Sequence, residues 1–366
     1  MPETEAPRRA AALIRRQIEA VLAAWGMAPE ARATTAAIMV ESDLMGIDSH
    51  GLSMLPMYET LRGEGVLRVD GVPRLLRETG CTALLDGGAG LGHPVAAWGM
   101  DLATDKALAQ GIGAVGVRNS HHFGAAGCYA RRAARRGAIG LVMTTARSIL
   151  AVPAGGAQPM LGTNPLALAA PAGPAGSGES AFVLDMSSTT AAGNKVKVYA
   201  LNGCPLPEGW VVDGAGRPVT DAAEAMQYLF HRAEGGLTPL GGGAETAGHK
   251  GYGLAMMVQI LAGSLTGGAL PVRDQQPGRP DNVGHFFLAI DPAAFRAPED
   301  FAADLDSLVS VMRATPPAEP DRPVLVPGDP EQAEHARRLA EGIPLPESLA
   351  AQIGGICARA EVEFLL

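Results

Sequence analysis

Apolar residues recur at three- and four-residue intervals through the first part of the chain. Ile14, Ile18, Leu22 and Trp25 share one side of a helical wheel, with Arg15, Arg16 and Glu19 elsewhere. That is the pattern of an amphipathic helix over 8–26, ended by Gly26. Pro29 can open a second helix, since proline fits the first turn. Gly46 is placed to cap its end near Leu44. Leu55, Tyr58 and Leu61 mark a third, so the first ~70 residues read as all-helical.

From about residue 72 short apolar runs separated by glycine take over. Runs at 82–86, 113–117 and 139–144 read as strands, with helices at 94–110 and 125–136. Residues 151–180 read as loop-rich, and 181–186 as a strand running into Ser187-Ser188-Thr189-Thr190. His249-Lys250-Gly251 opens a long helix with Leu254, Val258, Leu261 and Leu265 on one face. The stretch 285–292 is a strand ending in a turn, and the remainder is helical again, with Pro327-Gly328-Asp329 before a charged helix. Element order predicts an α/β (α+β) fold. Both helical chain ends, 1–75 and 296–366, would pack as one discontinuous domain, and 76–295 would be inserted as a mixed-sheet domain. The glycines at 87–92 do not make a Gly-x-Gly-x-x-Gly fingerprint, because His93 stands where the last glycine is needed.

Composition adds detail. The 366 residues are 47% hydrophobic but only 4% aromatic, so the core must be built from Ala, Val, Leu, Ile and Met. The formal net charge is -9, which argues against a nucleic-acid surface. Arg131, Arg132, Arg135 and Arg136 fall at helical spacing and read as a solvated helix face. Cys81, Cys128, Cys204 and Cys357 are far apart, without a Cys-x-x-Cys pair, which fits a reducing, cytoplasmic setting. The N-terminal stretch lacks the apolar core of a secretory signal, and no apolar run reaches the roughly 20 residues of a membrane helix.

The candidate chemistry centres on Asn119-Ser120-His121-His122-Phe123-Gly124, which falls between a strand and a helix. A catalytic group is often held on such a loop, and imidazole changes charge near neutral pH. The plainer alternative is one histidine capping the helix and the other facing water. His50 follows Asp48 and Ser49, groups that can orient an imidazole. Oxidising an alcohol by hydride transfer releases a proton, and such a histidine can carry it. A metal reading of His50, His121 and His122 lacks a helix-spaced pair or a clear carboxylate set, so no metal is expected. His93, beside Pro94, reads as structural. The hydroxyls at 187–190 can bind phosphate or ribose or cap a helix. Lys250 at a helix start suits a bound anion.

Several motifs together resemble the malate/L-lactate dehydrogenase family, NAD(P)-dependent oxidoreductases distinct from the Rossmann type. They are 43–51 (Asp43-Leu-Met-Gly-Ile-Asp-Ser-His-Gly51), 119–126, 162–166, 184–188, 250–254, 284–287 and 327–329, in family order. The resemblance implies a non-Rossmann fold and a homodimer. It implies NAD or NADP as cofactor and a small-molecule substrate, with no nucleic acid or membrane partner. By position it assigns proton transfer to His122, with His50 and Ser49 lining the substrate and His50 the proton carrier in some members. Asp185, Ser187, Ser188, Thr189, His249, Lys250, Gly328 and Asp329 match cofactor contacts. Met54, Arg147 and Thr163 are the candidate substrate contacts.

Two departures matter. Many members carry an arginine four residues after the Ser-His histidine to hold a substrate carboxylate, and here Met54 stands there. Either the acid group is missing, or another cation such as Arg147 or Arg118 replaces it. Thr145 stands where relatives often have Asn. The expected activity is oxidoreduction of a small 2-hydroxy or 2-keto acid. The alternatives are cyclic-imine reduction on the same scaffold and a non-catalytic nucleotide-binding member.

Overall fold

The computed structural model describes residues 6–172, 180–243, 245–274 and 280–366. The reading of the first five residues, and part of the loop-rich reading of 151–180, lie outside these. In chain order the elements begin with β1 (Arg8–Arg9), α1 (Ala11–Ala24), α2 (Pro29–Leu44) and α3 (Leu55–Gly63). Then come β2 (Arg74–Glu78), β3 (Thr82–Asp86), α4 (Gly92–Gln110), β4 (Ile112–Ser120), α5 (Gly127–Arg135) and β5 (Ile139–Thr144). They continue with β6 (Leu166–Pro171), β7 (Ser180–Met186), α6 (Gly193–Leu201), β8 (Val211–Val212), α7 (Ala222–Phe230) and β9 (Gly236–Leu237). The last are α8 (His249–Val258), α9 (Pro271–Asp274), β10 (Val283–Ile290), α10 (Pro298–Arg313), α11 (Asp329–Glu341), β11 (Ile343–Pro344) and α12 (Glu347–Arg359).

Seven strands form one mixed sheet in the order β2-β3-β4-β10-β5-β6-β7. Only β3 and β4 run parallel, joined through α4, and the other neighbours are antiparallel. Helices α4 and α5 cover one face of the sheet. The opposite face is covered by a π-helical turn, Gln259–Ser264, that continues α8. The core under α4 and α5 is dominated by alanine and valine, including Ala96, Ala103, Val115, Val117, Ala130, Ala133 and Val142. Such small side chains let helix and sheet approach closely, which accommodates the low aromatic content.

The two chain ends share a second core, in which Ile14, Ile18, Leu22, Met39, Leu55 and Tyr58 meet Ile343, Ile353 and Cys357. A third cluster, around Val196, Val211, Ala225 and Leu237, joins α6 and α7 to the antiparallel pair β8 and β9. Among the described residues no helix is long and apolar enough to cross a membrane.

Three expectations need correction. The N-terminal region is not all helix, because Arg8 and Arg9 pair antiparallel with Pro344 and Ile343. The segment read as loop contains β6, whose alanines pair with β5 and β7 despite weak strand propensity. Asp329 does not precede the charged helix but is its first residue.

Candidate active site

Asn119, next to last in β4, lies in the left-handed region (φ 50°), which asparagine tolerates better than most residues. Its amide N–H donates to Asn282 Oδ1 (2.6 Å) and its Nδ2 to Asp86 Oδ1 (2.8 Å). The loop then packs on the start of α4, where Gly92 N–H donates to the His122 carbonyl (2.9 Å). A Cβ at Gly92 would lie 2.4 Å from the His121 carbonyl oxygen, so only glycine permits this approach. Phe123 is stacked between His285 (ring centroids 4.6 Å apart) and Tyr129 (4.9 Å), and the Tyr129 hydroxyl donates to the Phe123 carbonyl. The histidine loop is therefore held on both flanks.

The two adjacent histidines point to different partners. The His122 amide donates to His121 Nδ1 (2.9 Å), so that nitrogen is an acceptor. The proton of neutral His121 then sits on Nε2, 2.8 Å from Asp281 Oδ2. Asp281 Oδ2 also accepts from Arg147 Nε (2.5 Å). His122 turns instead toward the helical unit. Its Nδ1 lies 2.6 Å from the Tyr58 hydroxyl, with the Gly124 amide 3.4 Å away on the same nitrogen. A backbone amide can only donate, so Nδ1 is the acceptor and neutral His122 carries its proton on Nε2.

His50 arrives from the turn after α2 and stacks on His122, with ring centroids 5.4 Å apart and planes 30° apart. Ser49 Oγ lies 2.7 Å from His50 Nδ1. Burial pushes the His50 ring down to about 4. Burial, then the neighbouring His50 and His93, hold His122 well below the usual imidazole range. Both rings are thus neutral at neutral pH. Burial raises the Tyr58 phenol, keeping it a donor.

Sequence reasoning missed three contributors. Tyr58 had been read only as a helix core position. His93 is fully buried at ring-centroid distances of 6.4 Å from His122 and 6.1 Å from Tyr58, and neither of its ring nitrogens has a hydrogen-bond partner among the described residues. His285 bridges Thr144 Oγ1 (2.7 Å) and Ser120 Oγ (2.8 Å) beneath the loop. Spacing along the chain carries no signal for such meetings; the one available hint was the recurrence of histidine in glycine-rich settings.

The remaining candidates gather around the end of β7. Asp185 Oδ2 accepts the Gly127 amide at the start of α5 (2.7 Å). The Val183 amide donates to the Pro327 carbonyl (3.0 Å), which brings Gly328 and Asp329 alongside. The Ser188 carbonyl accepts from Leu240 N–H, and the Leu240 carbonyl from Gly251 N–H, so the exposed His249 and Lys250 at the start of α8 adjoin the hydroxyl run. Within that run Ser188 and Thr189 are buried and their hydroxyls donate inward, to the Thr163 carbonyl (2.8 Å) and the Ala191 carbonyl (2.8 Å). Ser187 is half-buried and Asp185 exposed. Asp329 is held by Arg313 (2.6 Å) and by the Val326 amide (2.8 Å). Met54 is buried in the helical core.

A profile of the malate/L-lactate dehydrogenase family matches residues 10–354. The chain is 35% identical over 350 residues to L-sulfolactate dehydrogenase of Methanothermobacter thermautotrophicus, covering 95% of each. It is 32% identical to the (2R)-3-sulfolactate dehydrogenase (NADP(+)) of Chromohalobacter salexigens, over 91% of this chain and 93% of that one. The structure superposes on malate dehydrogenase from Entamoeba histolytica with a TM-score of 0.91, 28% identity and coverage of 98% and 99%. It superposes on Δ1-piperideine-2-carboxylate reductase from Pseudomonas syringae with a TM-score of 0.81, 27% identity and coverage of 96% and 99%. A ring of histidines on a mixed sheet without a Rossmann fingerprint, and these likenesses over nearly the whole chain, lead to one conclusion: the chain belongs to the malate/L-lactate dehydrogenase family and is an NAD(P)-dependent dehydrogenase.

Proposed function

We propose that the chain moves a hydride between nicotinamide and the carbinol carbon of a small 2-hydroxy acid, with His122 taking the hydroxyl proton. The observation that carries this reading is the stacked His50–His122 pair with Tyr58 on His122 Nδ1. In this reading substrate binding switches the tautomer: the proton moves to Nδ1, the Tyr58 hydroxyl turns to accept from it, and the outward Nε2 is left with a lone pair that takes the substrate's hydroxyl proton. Two stacked imidazoles resist sharing a second charge, so His50 stays neutral and can hold the substrate by hydrogen bonding from its Nε2 side. Ser49 fixes the His50 ring through Nδ1.

The residues around β7 fit a dinucleotide. Lys250 and His249 stand exposed at a helix start, where amide groups and a cation suit a diphosphate. Asp185, Ser187, Gly328 and Asp329 line the adjoining wall, with Ser188 and Thr189 shaping it through Thr163 and Ala191. When bound, the nicotinamide accepts or supplies the hydride. We place the substrate between a unit of 1–75 with 296–366 and a unit of 76–295, a division supported by the core shared by the chain ends. Arg147, oriented by Asp281, is the cation we assign to the substrate acid group in place of the arginine missing at Met54. We also read the chain as a cytoplasmic homodimer. Exposed Leu75 and Leu76 on the edge strand β2 and the free cysteines support this.

Reduction of a cyclic imine is the second reading, and the neutral imidazoles favour it. An iminium substrate arrives already protonated, so hydride delivery needs no imidazolium. Absorbance of the reduced nicotinamide, followed over 2-hydroxy acids, 2-keto acids and cyclic imines with NAD and NADP in turn, separates the two. Turnover confined to cyclic imines would replace the first reading with the second. Nucleotide binding with no turnover of either class would leave a non-catalytic member.

A further inference from the structure

We propose that Asp43 and Arg338 form a buried clamp that positions His50, so that helix α11 governs the proton-transfer turn from outside the site. The proposal rests on the reading of His50 and His122 given above.

The turn that carries Ser49 and His50 is fixed at three points. Beneath it lies Asp43, only 4% exposed, whose Oδ2 accepts the Leu52 amide (2.9 Å). A Cβ at Gly51 would lie 1.8 Å from Asp43 Oδ1 and 2.1 Å from Cγ. The carboxyl group is therefore pressed against the Gly51 backbone, immediately after His50, and no larger residue fits there. From the side comes Arg338 of α11, 7% exposed. Its Nη1 donates to the Asp43 carbonyl (2.7 Å) and to Asp48 Oδ1 (2.5 Å), and its Nη2 to Asp48 Oδ2 (3.3 Å). Its Nε bonds Glu334 one helical turn earlier. One guanidinium thus ties the end of α2 to the residue preceding Ser49.

A buried arginine with this many donors engaged is rigid, because its planar fork fixes the acceptors relative to one another. Small displacements of a catalytic group cost much in rate. The hydrogen bonds of the clamp go to Leu52, Asp48 and Glu334 rather than to the stacked rings, so both residues are positioning residues. The charged groups around the Asp43 carboxyl are Asp48 on the same turn and Arg338 on α11, with Glu334 behind Arg338. Burial pushes Asp43 up to about 8, with the Leu52 amide pulling the other way. At neutral pH an uncharged acid therefore supports the turn, and alkaline pH places a negative charge under it.

Histidine labelled with 13C at Cε1 gives a readout that needs no substrate. The His50 signal, assigned by its loss in His50→Gln, is followed from pH 6 to 10 in the wild type, Asp43→Asn and Arg338→Lys. The clamp predicts a step in the wild-type His50 signal near pH 8 that is absent in Asp43→Asn. It predicts that Arg338→Lys displaces the His50 signal and lowers kcat at least tenfold on the best acid of the substrate panel, with KM changed less than threefold. The wild-type titration stands alone should a variant fail to fold. The same step in Asp43→Asn, no step in the wild type, or an unmoved His50 signal in Arg338→Lys would overturn the clamp. Full turnover by both His50→Gln and His122→Gln would instead overturn the catalytic reading, while the signal step continues to test the clamp.

Discussion

The Tyr58 hydroxyl lies 2.6 Å from Nδ1 of His122, joining the third helix of the chain to the loop after β4 across 64 positions of sequence. The Gly124 amide faces the same nitrogen, so the proton of neutral His122 sits on its far side. Tyr58→Phe removes one donor without changing the ring's shape. We expect kcat to fall roughly 10- to 100-fold, about 1.4–2.8 kcal/mol of barrier, with KM little changed. Steady-state kinetics on the wild type and variant check this; an unaltered kcat would mean that Tyr58 is only a core residue.

Stability should peak near pH 6.5. Burial holds His50 to about 4, and His93 and His285 to about 3, with His122 also well below its ordinary range. Their unfolded value is 6.5, so below it the unfolded chain binds more protons and stability falls with falling pH. Asp43 acts oppositely. Its folded value of about 8 exceeds the unfolded 3.8, so its contribution is lost as pH rises toward 8. Below 6.5 the four imidazoles outweigh Asp43 and Asp185, the latter raised by desolvation to about 6, and between 6.5 and 8 Asp43 sets the slope. Urea midpoints at pH 5, 6.5 and 8.5 should rise and then fall, and Asp43→Asn should flatten the upper limb and steepen the lower one. A wild-type midpoint that keeps rising to pH 8.5 would contradict this.

His93 has no partner for either ring nitrogen among the described residues. A buried polar group left unpaired costs about 1–3 kcal/mol. His93→Phe keeps the ring and removes that cost, so the variant should be as stable as the wild type or about 1 kcal/mol more stable in chemical denaturation. A loss of more than about 2 kcal/mol would mean that the nitrogens are hydrogen-bonded to bound water, whose loss costs that much.

Met54, buried in the helical core just after the His50 turn, stands where the family resemblance places a carboxylate-holding arginine. A charge-assisted bond to a carboxylate is worth about 1.5–3 kcal/mol. Met54→Arg should therefore lower KM for simple 2-hydroxy acids such as malate or lactate by about tenfold or more. Fast wild-type turnover of these acids that the substitution leaves unchanged would remove Met54 as a determinant of specificity.

What the sequence could reveal followed the range of the forces involved. Helix α2 was readable to its ends because Pro29 and Gly46 mark them locally. Strands β3, β4 and β5 stood out as short apolar runs between glycines. β6 did not, because its alanines are strand-forming only when β5 and β7 supply both edges. Helices α6 and α7 left no clear periodicity to read. In the site, His50 and His122 were singled out by local chemistry and by resemblance. Tyr58 and His93 were not, since their meeting depends on the helical unit docking against the loop. The hydroxyl run was ambiguous between ligand binding and internal bonding. The structure turns Ser188 and Thr189 inward and leaves Ser187 half-buried.

The most direct measurement of the central claim compares wild type and His122→Gln in nicotinamide absorbance over the acid and imine panel, alongside cofactor binding by fluorescence quenching. The account predicts that the variant binds cofactor with an affinity within about threefold of wild type, while losing about 100-fold or more in kcat, the usual scale of general acid–base catalysis. Turnover by His122→Gln at the wild-type rate would contradict it.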